Sequence, residues 1–154
     1  MARTRKQRPA QATAEKPVVF SQRRLVLLTL LLLAGTVAGV VLWEMKRAND
    51  QAAFQTLRGR WLRPDGGYVL LIREATAEGV VTAEYLSPAG PVQVTRAEAK
   101  RQGDSIQVHV VLYGSGYQGN NYTLTYDPDR DELHGVYDPI IQDTFPVTFI
   151  REKE

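Results

Sequence analysis

Nineteen consecutive residues, Leu25 to Trp43 (LVLLTLLLLAGTVAGVVLW), carry no charge and no proline. As a helix rising ~1.5 Å per residue, this run spans roughly 28 Å, close to the ~30 Å hydrocarbon core of a bilayer. It divides the chain into four parts. Residues 1–24 read as a basic, disordered cytoplasmic tail, residues 25–43 as a transmembrane helix (a signal anchor), residues 44–56 as a juxtamembrane helix or stalk, and residues 57–154 as an extracytoplasmic β-barrel domain. The competing reading is a cleaved signal peptide, with Thr36-Val-Ala38 as its small-residue cleavage site. The apolar run continues past that point to Trp43, which favours the uncleaved anchor.

Charge sets the expected topology. Seven basic groups precede the run (Arg3, Arg5, Lys6, Arg8, Lys16, Arg23, Arg24) against the single acid Glu15, whereas Glu44, Lys46, Arg47 and Asp50 nearly cancel beyond it. Positive charge beside a span is retained in the cytoplasm, so the C-terminal domain is expected outside, on an inner (plasma) membrane, in the periplasm or extracellular space. The formal net charge of +2 conceals this division. The remainder of the chain is mildly acidic and its charges form no basic stripe, which argues against nucleic-acid binding. With no cysteine, disulfides, thiol catalysis and Cys-ligated metal are excluded. Gly35 and Gly39 form a G-x-x-x-G pair, whose small residues let two membrane helices pack closely, so a homodimer through this helix is one expected association.

Beyond Leu57 the period changes from helical to two. Ile106, Val108, Val110 and Leu112 alternate with Gln107 and His109; Tyr122, Leu124 and Tyr126 with Thr123 and Thr125; and Phe145, Val147 and Phe149 with Thr148. Such alternation marks antiparallel strands with one polar face. Strands are expected near Leu57–Arg63, Gly67–Glu74, Val80–Leu86, Val92–Ala99, Ser105–Tyr113, Asn121–Asp127, Glu132–Tyr137 and Thr144–Arg151, separated by Gly-, Pro-, Asn- and Asp-containing breaks. The connections are too short for crossover helices. The fold class is therefore all-β: an eight-stranded antiparallel up-and-down barrel, with a two-sheet β-sandwich as the alternative, preceded by one transmembrane helix. Phe54 and Leu57, at the end of the stalk, are apolar enough to dock on it.

Gly59-Arg-Trp61 at the first strand and Phe149-Ile-Arg151 at the last resemble the G-x-W and terminal Arg of lipocalin-type (calycin) barrels. The resemblance implies that Trp61 plugs the closed end and that Arg151 packs over it as a structural pair. Two longer segments, Gly59–Tyr68 and Tyr122–Gly135, are similar to small uncharacterised bacterial β domains on exported or membrane-anchored proteins. That similarity implies a bacterial origin and an envelope location, and no activity.

Candidate sites are few. Gly114–Asn121 (GSGYQGNN) is glycine-rich, and at a barrel mouth Tyr117, Gln118 and Asn120 would supply stacking and hydrogen bonds to a ligand. It lacks the Gly-Lys-Ser/Thr of a phosphate loop. The Asp127-Pro-Asp129-Arg-Asp131 run has calcium-loop spacing only at its start; Glu132 and Asp138 stand where Gly and Glu are needed. His109 and His134 are isolated, Ser105 and Ser115 have no recognisable triad partners, and Ile140 and Ile141 form an apolar pair in a loop. No catalytic residue, metal ligand or cofactor is expected. Two functions remain: a membrane-anchored binding module for a small apolar ligand or an envelope partner, and a structural or adaptor protein with a filled barrel.

Overall fold

The computed structural model describes residues 22–114 and 116–153, with side chains from Val26 onward except that of Leu28. The tail expected over residues 1–24 therefore lies outside the described residues as far as Ser21, and so does Ser115. The chain divides into two units, residues 1–40 and 41–154.

One helix, α1 (Gln22–Gln55), runs through both the apolar stretch and the stalk. It contains no proline and no helix-stopping glycine cluster to separate them. It is long and apolar enough to cross a membrane. Within the first unit its described side chains are exposed, and a Cβ placed on Gly35 or Gly39 would meet nothing within 4 Å. The hydroxyls of Thr29 and Thr36 donate back to the carbonyls of Val26 and Leu33, which satisfies them without a partner helix.

In the second unit eight strands follow in order: β1 (Gly59–Arg63), β2 (Tyr68–Ala75), β3 (Val81–Ser87), β4 (Gly90–Gln102), β5 (Ser105–Gly114), β6 (Tyr117–Asp127), β7 (Glu132–Asp138) and β8 (Phe145–Arg151). Each pairs antiparallel with the next, and β1 pairs with β8, so the sheet closes into an up-and-down barrel. Closure rules out the two-sheet sandwich and removes the free edges that an open sheet would expose. The closing seam consists of Trp61↔Arg151 and Leu62↔Ile150, extended by the Glu152 amide donating to the Arg60 carbonyl at 2.8 Å. Pro146 falls in the part of β8 that has no β1 partner, where its missing N–H breaks no ladder bond on that side.

The period-two pattern becomes the barrel wall. Val108, Val110, Leu112, Tyr122, Leu124, Val147 and Phe149 all point inward and are buried, together with Trp61, Leu70, Ile72, Tyr85 and Leu133. Rings fill the axis, with Tyr122 edge-on to Phe149 at 5.3 Å and tilted on Tyr137 at 4.6 Å. A barrel of eight strands is just wide enough for its own side chains to fill, and here they do. The last turns of α1 cover one end. Phe54 and Leu57 are buried there, Gln51 and Gln55 both donate to the Ala75 carbonyl, and Arg47 pairs with Glu78.

One packing point admits no side chain. Gly135 on β7 lies against the backbone of Thr123 and Leu124 on β6, where a Cβ would overlap the Thr123 carbonyl. Gly135→Ala is expected to destabilise the domain by roughly 1–3 kcal/mol through forced strand separation. Urea unfolding of the variant beside the unmodified protein measures it.

Candidate functional site

The barrel has two differently built ends. At the covered end, α1 closes with the amides of Thr56, Leu57 and Arg58 donating to the carbonyls of Ala53, Phe54 and Gln55. The Arg151 guanidinium, from the last strand, binds the turn that follows the helix. Nη2 donates to the Thr56 carbonyl at 2.7 Å, Nη1 to the Arg58 carbonyl at 2.5 Å, and Nε to Asp131 Oδ2 at 2.6 Å. The same guanidinium lies 4.1 Å from the centre of the Trp61 ring, whose Nε1 donates to the Leu57 carbonyl at 2.9 Å. Gly59 has φ +145°, and a Cβ there would run into the Arg151 guanidinium. The positive φ thus requires glycine two residues before the tryptophan, and its bare backbone leaves room for the arginine above it.

Asp131 completes this end. It sits in the β6–β7 turn with φ +55°, a conformation that Asp tolerates better than most residues, and also accepts from the Tyr126 hydroxyl at 3.0 Å. The hydrogen bond from Arg151 holds its carboxyl below the ordinary Asp range, outweighing the upward push of partial burial.

At the opposite mouth the central group is Arg63. It follows Trp61 by two on β1, so it shares the inward face, and the residue is only 7% exposed. Its guanidinium stacks on Tyr68 at 4.4 Å and lies within 6 Å of the Tyr137 and Phe145 rings. Nε donates to Asp65 Oδ1 at 2.6 Å and Nη1 to the Tyr122 hydroxyl at 3.0 Å. Tyr122 in turn shares a 2.6 Å hydroxyl contact with Tyr85. Burial alone would lower the Arg63 pKa, but the hydrogen bonds to Asp65 and Tyr122 and the charge of Asp65 outweigh it and keep the group cationic. Burial pushes the Tyr122 phenol up to about 12, against the lowering pull of Tyr85 and Arg63, and pushes Tyr85 higher still.

The ligand residues suggested by the glycine-rich stretch lie at this mouth, but in a strand. β5 runs through Gly114, and β6 starts at Tyr117, which pairs with Gly114. Gly116, at φ +82°, makes the reversal, so the stretch is a tight hairpin where a long loop was expected. Tyr117 sits on the rim, edge-on to Tyr85 at 6.2 Å. Gln118 is exposed, while Asn120 is buried and donates from Nδ2 to the Tyr137 hydroxyl at 2.6 Å. Beside them lies a groove of about 560 Å³, walled by Tyr68, Tyr117, Val92 and the Pro88–Pro91 turn. Phe145, expected in the core with Val147 and Phe149, reaches only the rim and is partly exposed. Above β7, the Ile141 amide donates to the Pro139 carbonyl at 2.7 Å in a γ-turn that forces Ile140 to φ +63°. That turn leaves both isoleucines in solvent.

Other candidates stay apart. His109 lies opposite Glu98 and Thr123, and His134 opposite Thr125 and Thr148 on a different strand pair. Asp127 Oδ1 is engaged by the amides of Asp129 and Arg130, which makes the acidic run a self-capped turn. Among the described residues no group of three His, Cys, Asp or Glu side chains stands close enough to hold a metal. Arg63 is the residue that sequence reasoning missed, although period two from Trp61 places it inside. These features define a closed, eight-stranded antiparallel barrel behind one potential membrane-spanning helix. Comparison with known protein families, curated proteins and solved structures returns no match.

Two expectations follow from these ends. Tyr122→Phe strips partners from both Arg63 and Tyr85, and is expected to cost roughly 1–3 kcal/mol in chemical denaturation. At the covered end, the folded Asp131 carboxyl binds its proton more weakly than the unfolded one. Its contribution is therefore present above the unfolded pKa of about 4 and fades as pH falls through the lower folded value. The Tm difference between the unmodified protein and Asp131→Asn should be largest at neutral pH and vanish in acid.

Proposed function

We propose that the chain is a single-pass, membrane-anchored adaptor of the bacterial envelope. In this reading α1 is its span, the N-terminus stays in the cytoplasm, and the barrel is displayed in the periplasm or extracellular space. It acts by binding rather than by catalysis, and recognition takes place at the barrel mouth, not inside the barrel.

The observation that carries this reading is the filled interior. Trp61, Tyr85, Tyr122 and Phe149 are at most 1% exposed, and among the described residues no buried side-chain nitrogen or oxygen lacks a hydrogen-bond partner. An apolar ligand on the axis would have to displace these rings and break the Arg63–Tyr122–Tyr85 chain. The mouth, by contrast, offers Tyr117, Gln118, Ile140 and Ile141 on or above the rim. The stack of Arg151 on Trp61 supports the lipocalin-type reading of the scaffold. The basic residues before the span support the orientation.

Two measurements test this. Native mass spectrometry of the whole chain released from detergent is expected to give the bare 17.2 kDa protein. An apolar adduct lost on denaturation would mean an open interior. Because the chain has no cysteine, Thr148→Cys on the outer face of β8 gives a single reporter. In intact spheroplasts it is expected to react with a membrane-impermeant maleimide, and protection until lysis would reverse the topology.

A further inference from the structure

We infer that the mouth is a recognition site for a carboxylate carried on an apolar body, read by the Arg63 guanidinium. This rests on the reading that contacts are made at the mouth, and it names their chemistry.

A guanidinium offers five N–H donors in a planar fork suited to two-point contact with a carboxylate. Arg63 uses Nε on Asp65 and one hydrogen of Nη1 on Tyr122. Those two bonds engage two of its five N–H donors. The fork is also fixed in place. The face of Tyr68 lies 4.4 Å away, and the Tyr137 and Phe145 rings stand to the sides. A charged group held rigid by ring faces is organised for a ligand before the ligand arrives.

The partner it now has is of the exchangeable kind. A buried cation demands a counter-charge. Asp65 provides it from the Pro64–Gly67 turn, with its side chain 58% exposed against 9% for Arg63. An incoming carboxylate can take the Nη2 and Nη1 donors while Asp65 swings into water. The apolar body has a place too. The 560 Å³ groove shares Tyr68 with Arg63 and continues along Val92, Pro91 and Tyr117.

The test uses the whole chain in phosphatidylcholine nanodiscs, with empty nanodiscs as the blank. Phenylbutyrate and phenylbutyramide are compared by saturation-transfer NMR and calorimetry. The acid is expected to bind saturably and at least about tenfold more tightly than the amide. Asp65→Asn removes the internal competitor and is expected to tighten acid binding several-fold, whereas Arg63→Lys, which keeps the charge and loses the fork, should abolish the preference. If Arg63→Lys does not fold, Asp65→Asn alone decides. Equal affinities for acid and amide would overturn the carboxylate assignment while leaving the mouth as a contact face. Absence of binding by both the unmodified chain and Asp65→Asn would overturn it as well. So would weakened acid binding by Asp65→Asn, which would make Asp65 part of the scaffold. An adduct inside the barrel, read by native mass spectrometry, would instead defeat the filled-interior reading itself.

Discussion

The Arg151 guanidinium joins the segment after α1, the first strand and the β6–β7 turn at one point. It takes the Thr56 and Arg58 carbonyls just after α1, anchors to Asp131 in the β6–β7 turn, and lies over the Trp61 ring on β1. Each contact alone is modest: a cation over an indole contributes about 0.5–2 kcal/mol. Their value lies in position. The helix end, the first strand and the last strand meet at one planar group, and the barrel's closing seam runs directly through it in the Trp61↔Arg151 pair. Once that seam is set, every other strand has two neighbours.

The mouth is organised around a second arginine used differently. Arg151 is spent on backbone carbonyls and one acid, whereas Arg63 is embedded among rings and holds a tyrosine relay together. Tyr122 accepts from Arg63 and contacts Tyr85, while Tyr137 accepts from Asn120, so the polar tips of three inward tyrosines are satisfied within the barrel. This allows large aromatic side chains to fill the axis without stranding a hydroxyl. The interior is therefore both full and polar-tipped at one end.

Much of the fold was legible because period two is a strong signal. The inward set on β5 and β6 (Val108, Val110, Leu112, Tyr122, Leu124) follows directly from alternation, and the turn residues mark the reversals. What alternation cannot give is depth along the axis. Phe145 obeys the pattern yet ends at the rim, where β8 has no β1 partner and the ring, set against Tyr137 and Arg63, stays 37% exposed. The glycine-rich stretch misled for a related reason. Glycine permits a flexible loop, but it also permits the positive φ of a tight hairpin, and at Gly116 the second use prevails. Arg63 was passed over because a charged residue is rarely expected inside. Its ring stack and paired donors exist only in three dimensions.

The bond from Arg151 to Thr56 spans 95 residues of chain. During synthesis the end of α1 and the indole of Trp61 precede their partner by almost the entire length of the barrel. Until Arg151 is made, the first hairpins carry an uncovered tryptophan and an unpaired outer edge, because closure depends on a contact of long sequence separation. A chain interrupted anywhere before β8 thus displays an apolar ring and an open strand to the cell's proteases and chaperones. Once β8 has been made, both are hidden in a single step, so the late arginine marks the closing of the barrel.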